Sequence, residues 1–234
     1  VQSGEREESA VKVSVKHPPV EVRRFLPAKP RFLRGPRLPE PVDAREIRTA
    51  RLRLRPHRMG DFGPWLRMHR QPQTVRYLRW PSDDPGAIRR HLRARTRQTR
   101  LWQTDDFLAL AIEVDGELAG EVSVHLRSVR AGTRMVEVGW VLDERFTGRG
   151  LATEAAEALL EFAFDTVGAR LAVAVIDHGN VGSVAVAERL GFRLAGADAH
   201  ELTYVRFADA PRPELPDRRL AGSRLAEAEH AGRR

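Results

Sequence analysis

The stretch Glu137-Val-Gly-Trp-Val-Leu-Asp-Glu-Arg-Phe-Thr-Gly-Arg-Gly-Leu-Ala-Thr-Glu154 decides how the rest of the chain is read. A mostly apolar run ends at Leu142, glycines follow at Gly148 and Gly150, and apolar residues then recur at Leu151, Ala155, Leu159 and Phe162. The pattern predicts a strand, a tight turn and an amphipathic helix. Glycine has no Cβ, so the turn can bend sharply and bring backbone close to a ligand. A helix start at the same point adds unpaired N–H groups and a positive dipole end, which together favour a phosphate.

Upstream, Phe107 to Val114, Leu118 to Leu126 and Met135 to Leu142 read as three strands, the first two joined at Asp115-Gly116, a hairpin signal. Leu52 and Leu54 alternate with Arg51, Arg53 and Arg55 in an earlier strand. A short helix near Asp61 is expected to bury Phe62, Trp65 and Leu66, and a second is capped by Asp84 with Pro85 in its first turn. That second helix carries Arg89, Arg90, Arg93, Arg95, Arg97 and Arg100 without an acid, either a solvated face or a surface for RNA or an acidic substrate. Downstream, the helix from about Gly150 to Val167 stops at Gly168, and the apolar run Leu171 to Ile176 reads as a buried strand. A helix from Asn180 to Leu190 and closing strands at Phe192 to Leu194 and Leu202 to Phe207 complete the body.

The 234 residues allow one domain with tails. No cysteine is present, which excludes disulfides, thiolate metal sites and a cysteine nucleophile. No apolar run approaches a membrane span or secretory signal, and no spacing suggests a metal site, so a cytoplasmic enzyme or binding protein is expected. The net charge of +8 is unevenly spread: residues 1–21 contribute −1, 22–38 contribute +6 and 211–234 contribute +2, leaving +1 for 39–210. Residues 1–47 hold seven prolines between Pro18 and Pro41 and read as an irregular or disordered arm. The arm is a solvated tail, a tether to RNA or the ribosome, or a segment packed on a homodimer partner. Residues 48–210 form the domain and 211–234 a polar flexible tail.

Three phosphate ligands compete for the turn. A triphosphate loop needs Gly-Lys-Ser/Thr, whereas Gly150 precedes Leu151 and Ala152. The dinucleotide fingerprint lacks its third glycine here and belongs to serial parallel βαβ units, not to a turn after a meander. The third ligand is coenzyme A. The arrangement of meander, Gly139, Arg145-x-x-Gly148-x-Gly150, helix, apolar strand and Asn180 helix resembles the GNAT (Gcn5-related) N-acetyltransferase family, whose pyrophosphate signature is Gln/Arg-x-x-Gly-x-Gly/Ala. Asn180-Val-Gly-Ser183 followed by Glu188-Arg-Leu-Gly-Phe192 is similar to the pattern of the branch containing the bacterial ribosomal-protein N-terminal acetyltransferases. The resemblance covers roughly residues 49–208.

It implies an α/β (α+β) fold with a mixed, mostly antiparallel sheet flanked by helices and a splay between strands 135–142 and 171–176. It also implies acetyl-CoA as co-substrate: backbone N–H groups of Gly148, Arg149, Gly150, Leu151 and Ala152 on the pyrophosphate, Thr153 as a further donor, and Arg145 and Arg149 adding charge. Val141 and Leu142 would pair with the pantetheine amides and one N–H would polarise the thioester carbonyl, while Asn180 bonds the pantetheine arm. Glu137 is the candidate base, acting through a water, and Ser183 the candidate to protonate or steady the leaving thiolate; Tyr204 is a fallback acid, and His125 and His178 are weaker candidates. Each also has a structural reading. An α-amine, with pKa near 8, gives up its proton far more easily than lysine near 10.4, so a protein or peptide N-terminus is the preferred acceptor. A small-molecule amine such as an aminoglycoside, and a non-catalytic acetyl-CoA- or RNA-binding module, are the alternatives. Two departures bear on this: Gly182 replaces a common alanine, and the connection from Leu194 to Leu202 is short and lacks an aromatic.

Overall fold

The meander is formed as its turn chemistry requires. In the computed structural model, which describes residues 35–78 and 84–211, β5 (Phe107–Val114) and β6 (Glu117–Ser128) meet at Asp115 and Gly116, both at positive φ (49° and 84°), and β7 (Met135–Leu142) follows antiparallel to β6. These strands are the middle of an eight-stranded sheet. Before them come β1 (Arg37–Asp43), β2 (Ile47–Arg48), β3 (Arg53–Pro56) and β4 (Arg100–Gln103), and after them β8 (Leu171–Asp177), β9 (Arg193–Ala197) and β10 (Glu201–Phe207). The sheet order is β2-β3-β5-β6-β7-β8-β10-β9, with β1 and β4 paired separately.

Alternation sorts the strand side chains onto two faces. Leu110, Ile112, Val122, Val124, Val136 and Val138 share a large core with Leu151, Ala155 and Leu159 of α4 (Leu151–Glu161). Ala111 and Leu118 pack on the opposite side against Trp65 and Met68 of α1 (Phe62–Met68) and Ile88 and Leu92 of α3 (Pro85–Arg95). Asp84 caps α3 by accepting from the N–H groups of Gly86 and Ala87, a contact of about 1 kcal/mol. Past Glu161 the chain of α4 widens into a π turn over Phe162–Thr166 and is closed by Gly168 at φ 71°. The last helix, α5 (Val181–Arg189), starts at its cap Asn180 and ends before Gly191 at φ 76°.

Only one neighbouring pair in the large sheet is parallel. β7 and β8 match at Met135↔Leu171, Val136↔Ala172 and Glu137↔Val173, and there the ladder stops. Beyond it β7 stays on β6 as far as Leu142↔Gly120, while β8 stays on β10 as far as Asp177↔Glu201. The strands therefore diverge, as the resemblance implied for 135–142 and 171–176.

Three features differ from expectation. Residues 35–47 were assigned to the irregular arm, yet 37–43 form β1: Leu38 is buried and Val42 packs on the core, while Pro39 and Pro41, which lack N–H donors, suit a strand at an edge. Residues 1–34 of the arm and 212–234 of the tail lie outside the described residues. The four-residue α2 (Pro72–Val75) and the short β4 carry too little periodicity to be foreseen. In α1, Trp65 and Met68 are the buried pair, and Phe62 and Leu66 are half-buried.

The helix pair on the second face rests on a buried polar layer. Arg55 joins Asp61 at 2.8 Å and Glu113 at 2.6 Å, and Glu121 lies 3.0 Å from His57 and 2.9 Å from Arg95. Burial alone would raise the Glu121 carboxyl, but Arg95 and His57 overcome it and bring its pKa to about 2. Trp65 stacks near His69 and His91, whose protonated forms are disfavoured chiefly by burial; the His91 pKa falls to about 3. A lowered histidine pKa stabilises the fold fully above the unfolded value of 6.5, and that contribution is lost as pH falls toward about 3. Urea unfolding at pH 7.5 and pH 5.0 should therefore show lower stability at pH 5.0, and His91→Gln should reduce the difference. An equal pH difference in the variant would remove His91 as a cause.

Candidate active site

The divergence leaves Val138 to Leu142 bonded on the β6 side only, so the N–H and C=O groups of β7 facing β8 have no strand partner. Leu142 leads into Asp143, which is 1% exposed and accepts from the Arg145 N–H at 3.0 Å to cap a 3-10 turn over Glu144–Phe146. Gly148 and Gly150 then both take left-handed backbone, at φ 72° and 70°. Gly150 is itself the N-cap of α4, and having no side chain it leaves the first-turn N–H groups for an external acceptor.

A cavity of about 560 Å³ opens at this helix end. Gly148, Gly150, Leu151, Ala152 and Thr153 form one wall, Trp140, Val141 and Leu142 another, and Asn180 and Ser183 a third. Gln73, Thr74, Tyr77 and Leu78, on and after α2, close it. A smaller cavity of about 240 Å³ occupies the gap between β7 and β8, lined by Gly139, Val175, Asp177 and Glu201, and it shares Tyr77, Trp140, Asn180 and Ser183 with the larger one. Between the two, the Tyr77 hydroxyl donates to the Gly179 carbonyl at 2.8 Å.

Nine of the twelve candidate site residues line the larger cavity: Val141, Leu142, Gly148, Gly150, Leu151, Ala152, Thr153, Asn180 and Ser183. The Thr153 hydroxyl, on a residue 2% exposed, and the Trp140 indole N–H are buried without a hydrogen-bond partner. A buried polar atom left unpaired costs about 1–3 kcal/mol, so both are groups that a polar ligand would satisfy. Asn180 uses Oδ1 to accept from the Ser183 N–H at 3.1 Å, which caps α5.

The other three lie elsewhere. The Arg145 side chain reaches back to Asp143 at 2.9 Å and across to Glu117 at 2.8 Å, bonds that raise its pKa further. Its charge is taken up by carboxylates of the chain, so here it braces the turn. Arg149 lies near the Phe146 ring, 5.9 Å from its centre. Glu137 lines neither cavity; both Arg127 Nη2 and Nε donate to its Oε2, at 2.7 and 2.9 Å. Of the weaker candidates, His125 is beside Asp105 and Arg127, His178 Nε2 meets the Asp198 carbonyl, and Tyr204 is buried with its hydroxyl 3.5 Å from Glu188. The segment 73–78 is not legible in the sequence because one turn of helix leaves no periodic signal, and Tyr77 is placed by its contact with Gly179 and its position in both cavities.

The residues present fit a phosphorylated, amide-bearing thioester. A helix end with two left-handed glycines suits its phosphates, an unpaired strand edge its amides, and a cavity within the roughly 300–1,000 Å³ of small-molecule sites its bulk. Among the described residues no group of histidine and acidic side chains is arranged for a metal.

The sequence matches the GNAT acetyltransferase domain over residues 51–193, and the chain belongs to that family. The spermidine N(1)-acetyltransferase of Escherichia coli strain K12 is 29% identical over 90 residues, 38% of this chain and 47% of that protein. Matched segments span 38 to 55% of the curated relatives' own lengths. An acetyltransferase structure from Agrobacterium tumefaciens strain C58 superposes with TM-score 0.54 at 29% identity, covering 70% of this chain and 95% of that one. RimL, a ribosomal L7/L12 α-N-protein acetyltransferase solved with coenzyme A, superposes with TM-score 0.58 at 22% identity, covering 71% and 100%.

Gly120 controls the β7 terminus. A Cβ there would meet the Val141 carbonyl oxygen and the Leu142 side chain. Gly120→Ala should cost about 1–3 kcal/mol by overpacking and lower the melting temperature by about 2–4 °C for each kcal/mol. An unchanged melting temperature would show that β7 yields there without cost.

Proposed function

We propose that the chain is an acetyl-CoA-dependent N-acetyltransferase that passes acetyl directly to a primary amine in a ternary complex. The observation that carries the reading is that the larger cavity runs from the glycine turn to the unpaired edge of β7 and adjoins, through the shared residues Tyr77, Trp140, Asn180 and Ser183, the smaller cavity where β7 and β8 separate. Acetyl-CoA supplies an activated acetyl thioester. The N–H groups of Gly148 to Ala152 bind its pyrophosphate, with the Thr153 hydroxyl as a further donor. The free edge at Val141 and Leu142 holds the pantetheine arm, and one N–H of that edge polarises the thioester carbonyl. Asn180 spends its oxygen on the helix cap, so its amide nitrogen is the group offered to the arm. Ser183, which borders both cavities, steadies the leaving thiolate. RimL carries coenzyme A on a similar fold, which agrees with this donor. A cytoplasmic reaction is part of this proposal.

The acceptor enters through the smaller cavity. Glu137, outside the cavity lining but two residues from Gly139 on β7, removes the amine proton through a water that bridges to the cavity, with Arg127 fixing the carboxylate. The preferred acceptor is the α-amine of a protein or peptide, the class on which RimL acts and the amine most readily made neutral. A second reading, a small polycation, is favoured by Asp177 and Glu201, which face each other across β8 and β10 and both line this cavity. The spermidine acetyltransferase among the relatives acts on such a molecule.

Acetyl-CoA at 100 times its dissociation constant should stabilise the protein by about 2.7 kcal/mol, and no shift in melting temperature would end the donor assignment. Thiol release with a panel of peptides, polyamines and aminoglycosides then separates the acceptors; none with any amine would favour a binding module. Glu137→Gln should lower turnover most at the acid end of the pH profile, and an unaltered profile would exclude Glu137 as the base.

A further inference from the structure

The glycine turn cannot hold its own shape. Arg149 stands between Gly148 and Gly150, and glycine leaves the backbone more conformational freedom than any other residue, so the peptide joining Arg149 to Gly150 is free to rotate as a unit unless something fixes it. Arg51, between β2 and β3, fixes it from outside. Its Nη1 donates to the Arg149 carbonyl oxygen at 3.0 Å. The rest of the Arg51 side chain is anchored on Glu154 in the first turn of α4: Nε donates to Oε2 at 2.7 Å, Nη2 lies 2.6 Å from the same oxygen, and the Arg51 backbone N–H donates to Oε1 at 2.9 Å. Thr49 completes the anchor, donating its hydroxyl to Oε1 at 2.6 Å. A guanidinium is suited to this because its donors form a rigid planar fork that can reach two acceptors at once.

The consequence follows from peptide geometry. The peptide is trans, so its C=O and N–H point in opposite directions. Drawing the Arg149 carbonyl toward Arg51 aims the Gly150 N–H the other way, and Gly150 lines the larger cavity. The same contact answers an electrostatic problem. Glu154 places a carboxylate one turn from the proposed pyrophosphate site, and Arg51 neutralises it on the side away from the cavity. We infer that Arg51 is a positioning residue for the donor: anchored by Glu154 and Thr49, it pins the Arg149–Gly150 peptide so that the Gly150 N–H faces the pyrophosphate. It touches no reacting atom, and the inference rests on the acetyl-CoA reading given above.

The test compares a donor that has the pyrophosphate with one that lacks it. In Arg51→Gln the dissociation constant of coenzyme A, measured by titration calorimetry, and the KM for acetyl-CoA should both rise about tenfold, the loss of one charge-assisted hydrogen-bond contribution. The kcat at saturation and the KM for S-acetylpantetheine should not change, because binding common to ground and transition states is what is lost. Arg51→Lys keeps the charge but cannot span Glu154 and Arg149 together, so it should show the same pattern in weaker form, and it carries the comparison should Arg51→Gln fail to fold. Equal losses with both donors would mean that Arg51 serves the fold in general, and no loss with either would mean that the turn holds itself; each overturns the inference. A wild-type protein that binds no coenzyme A would instead overturn the donor reading.

Discussion

Everything proposed for the site depends on a ladder that stops. β7 and β8 are joined over Met135 to Glu137 only, although both run on as strands. Each remains held on its outer side, β7 by β6 and β8 by β10, so separation exposes one edge of each without unfolding either. An exposed edge inside a sheet is normally a liability, because unpaired N–H and C=O groups seek another strand. Here the strands are parted inside the molecule, with α5 and the residues after α2 over the opening, and the unpaired groups face a cavity sized for a small molecule. Gly120 belongs to this arrangement, since the β7 terminus approaches β6 too closely for any side chain at that position.

The two faces of the sheet take different loads. The α4 face is continuous hydrocarbon, which fixes the helix whose first turn lines the larger cavity. The opposite face has a smaller apolar cluster and relies on ion pairs and stacked rings around Arg55, Glu121 and Trp65. Removing one member of a buried pair costs about 3–5 kcal/mol, so this layer fixes α1 and α3 in position at the expense of tolerance to change.

The sequence made the scaffold readable wherever chemistry is local. Asp115-Gly116, Gly168, Gly191 and the Asp84 cap mark turns and helix ends by backbone requirements that few other residues meet, and all four sit where expected. The residues of the glycine turn and of the Asn180 helix converge on one cavity because the strand–turn–helix order dictates it. What could not be read was contact between distant segments. Arg145 stands where the motif suggested a charge for the ligand, yet beside its near neighbour Asp143 it meets Glu117, a partner brought there by how β6 and β7 pair, which no local pattern records. The same holds for Arg127 on Glu137 and for Tyr77 on Gly179. Residues 37–43 were hidden in the opposite way: their prolines suggest disorder, and only the pairing with β4 makes a strand of them.

Arg145 turned toward its own carboxylates has a wider meaning. On the proposed reading, the pyrophosphate is held chiefly by peptide N–H groups of the glycine turn, and the backbone is the part of a protein that substitution does not replace. Provided that Gly148 and Gly150 keep their left-handed backbone and Arg51 its hold on the Arg149 carbonyl, the proposed donor end asks little of the side chains that line the rest of the cavity. A site of this construction would tolerate substitution along its side-chain walls while remaining exacting at two glycines.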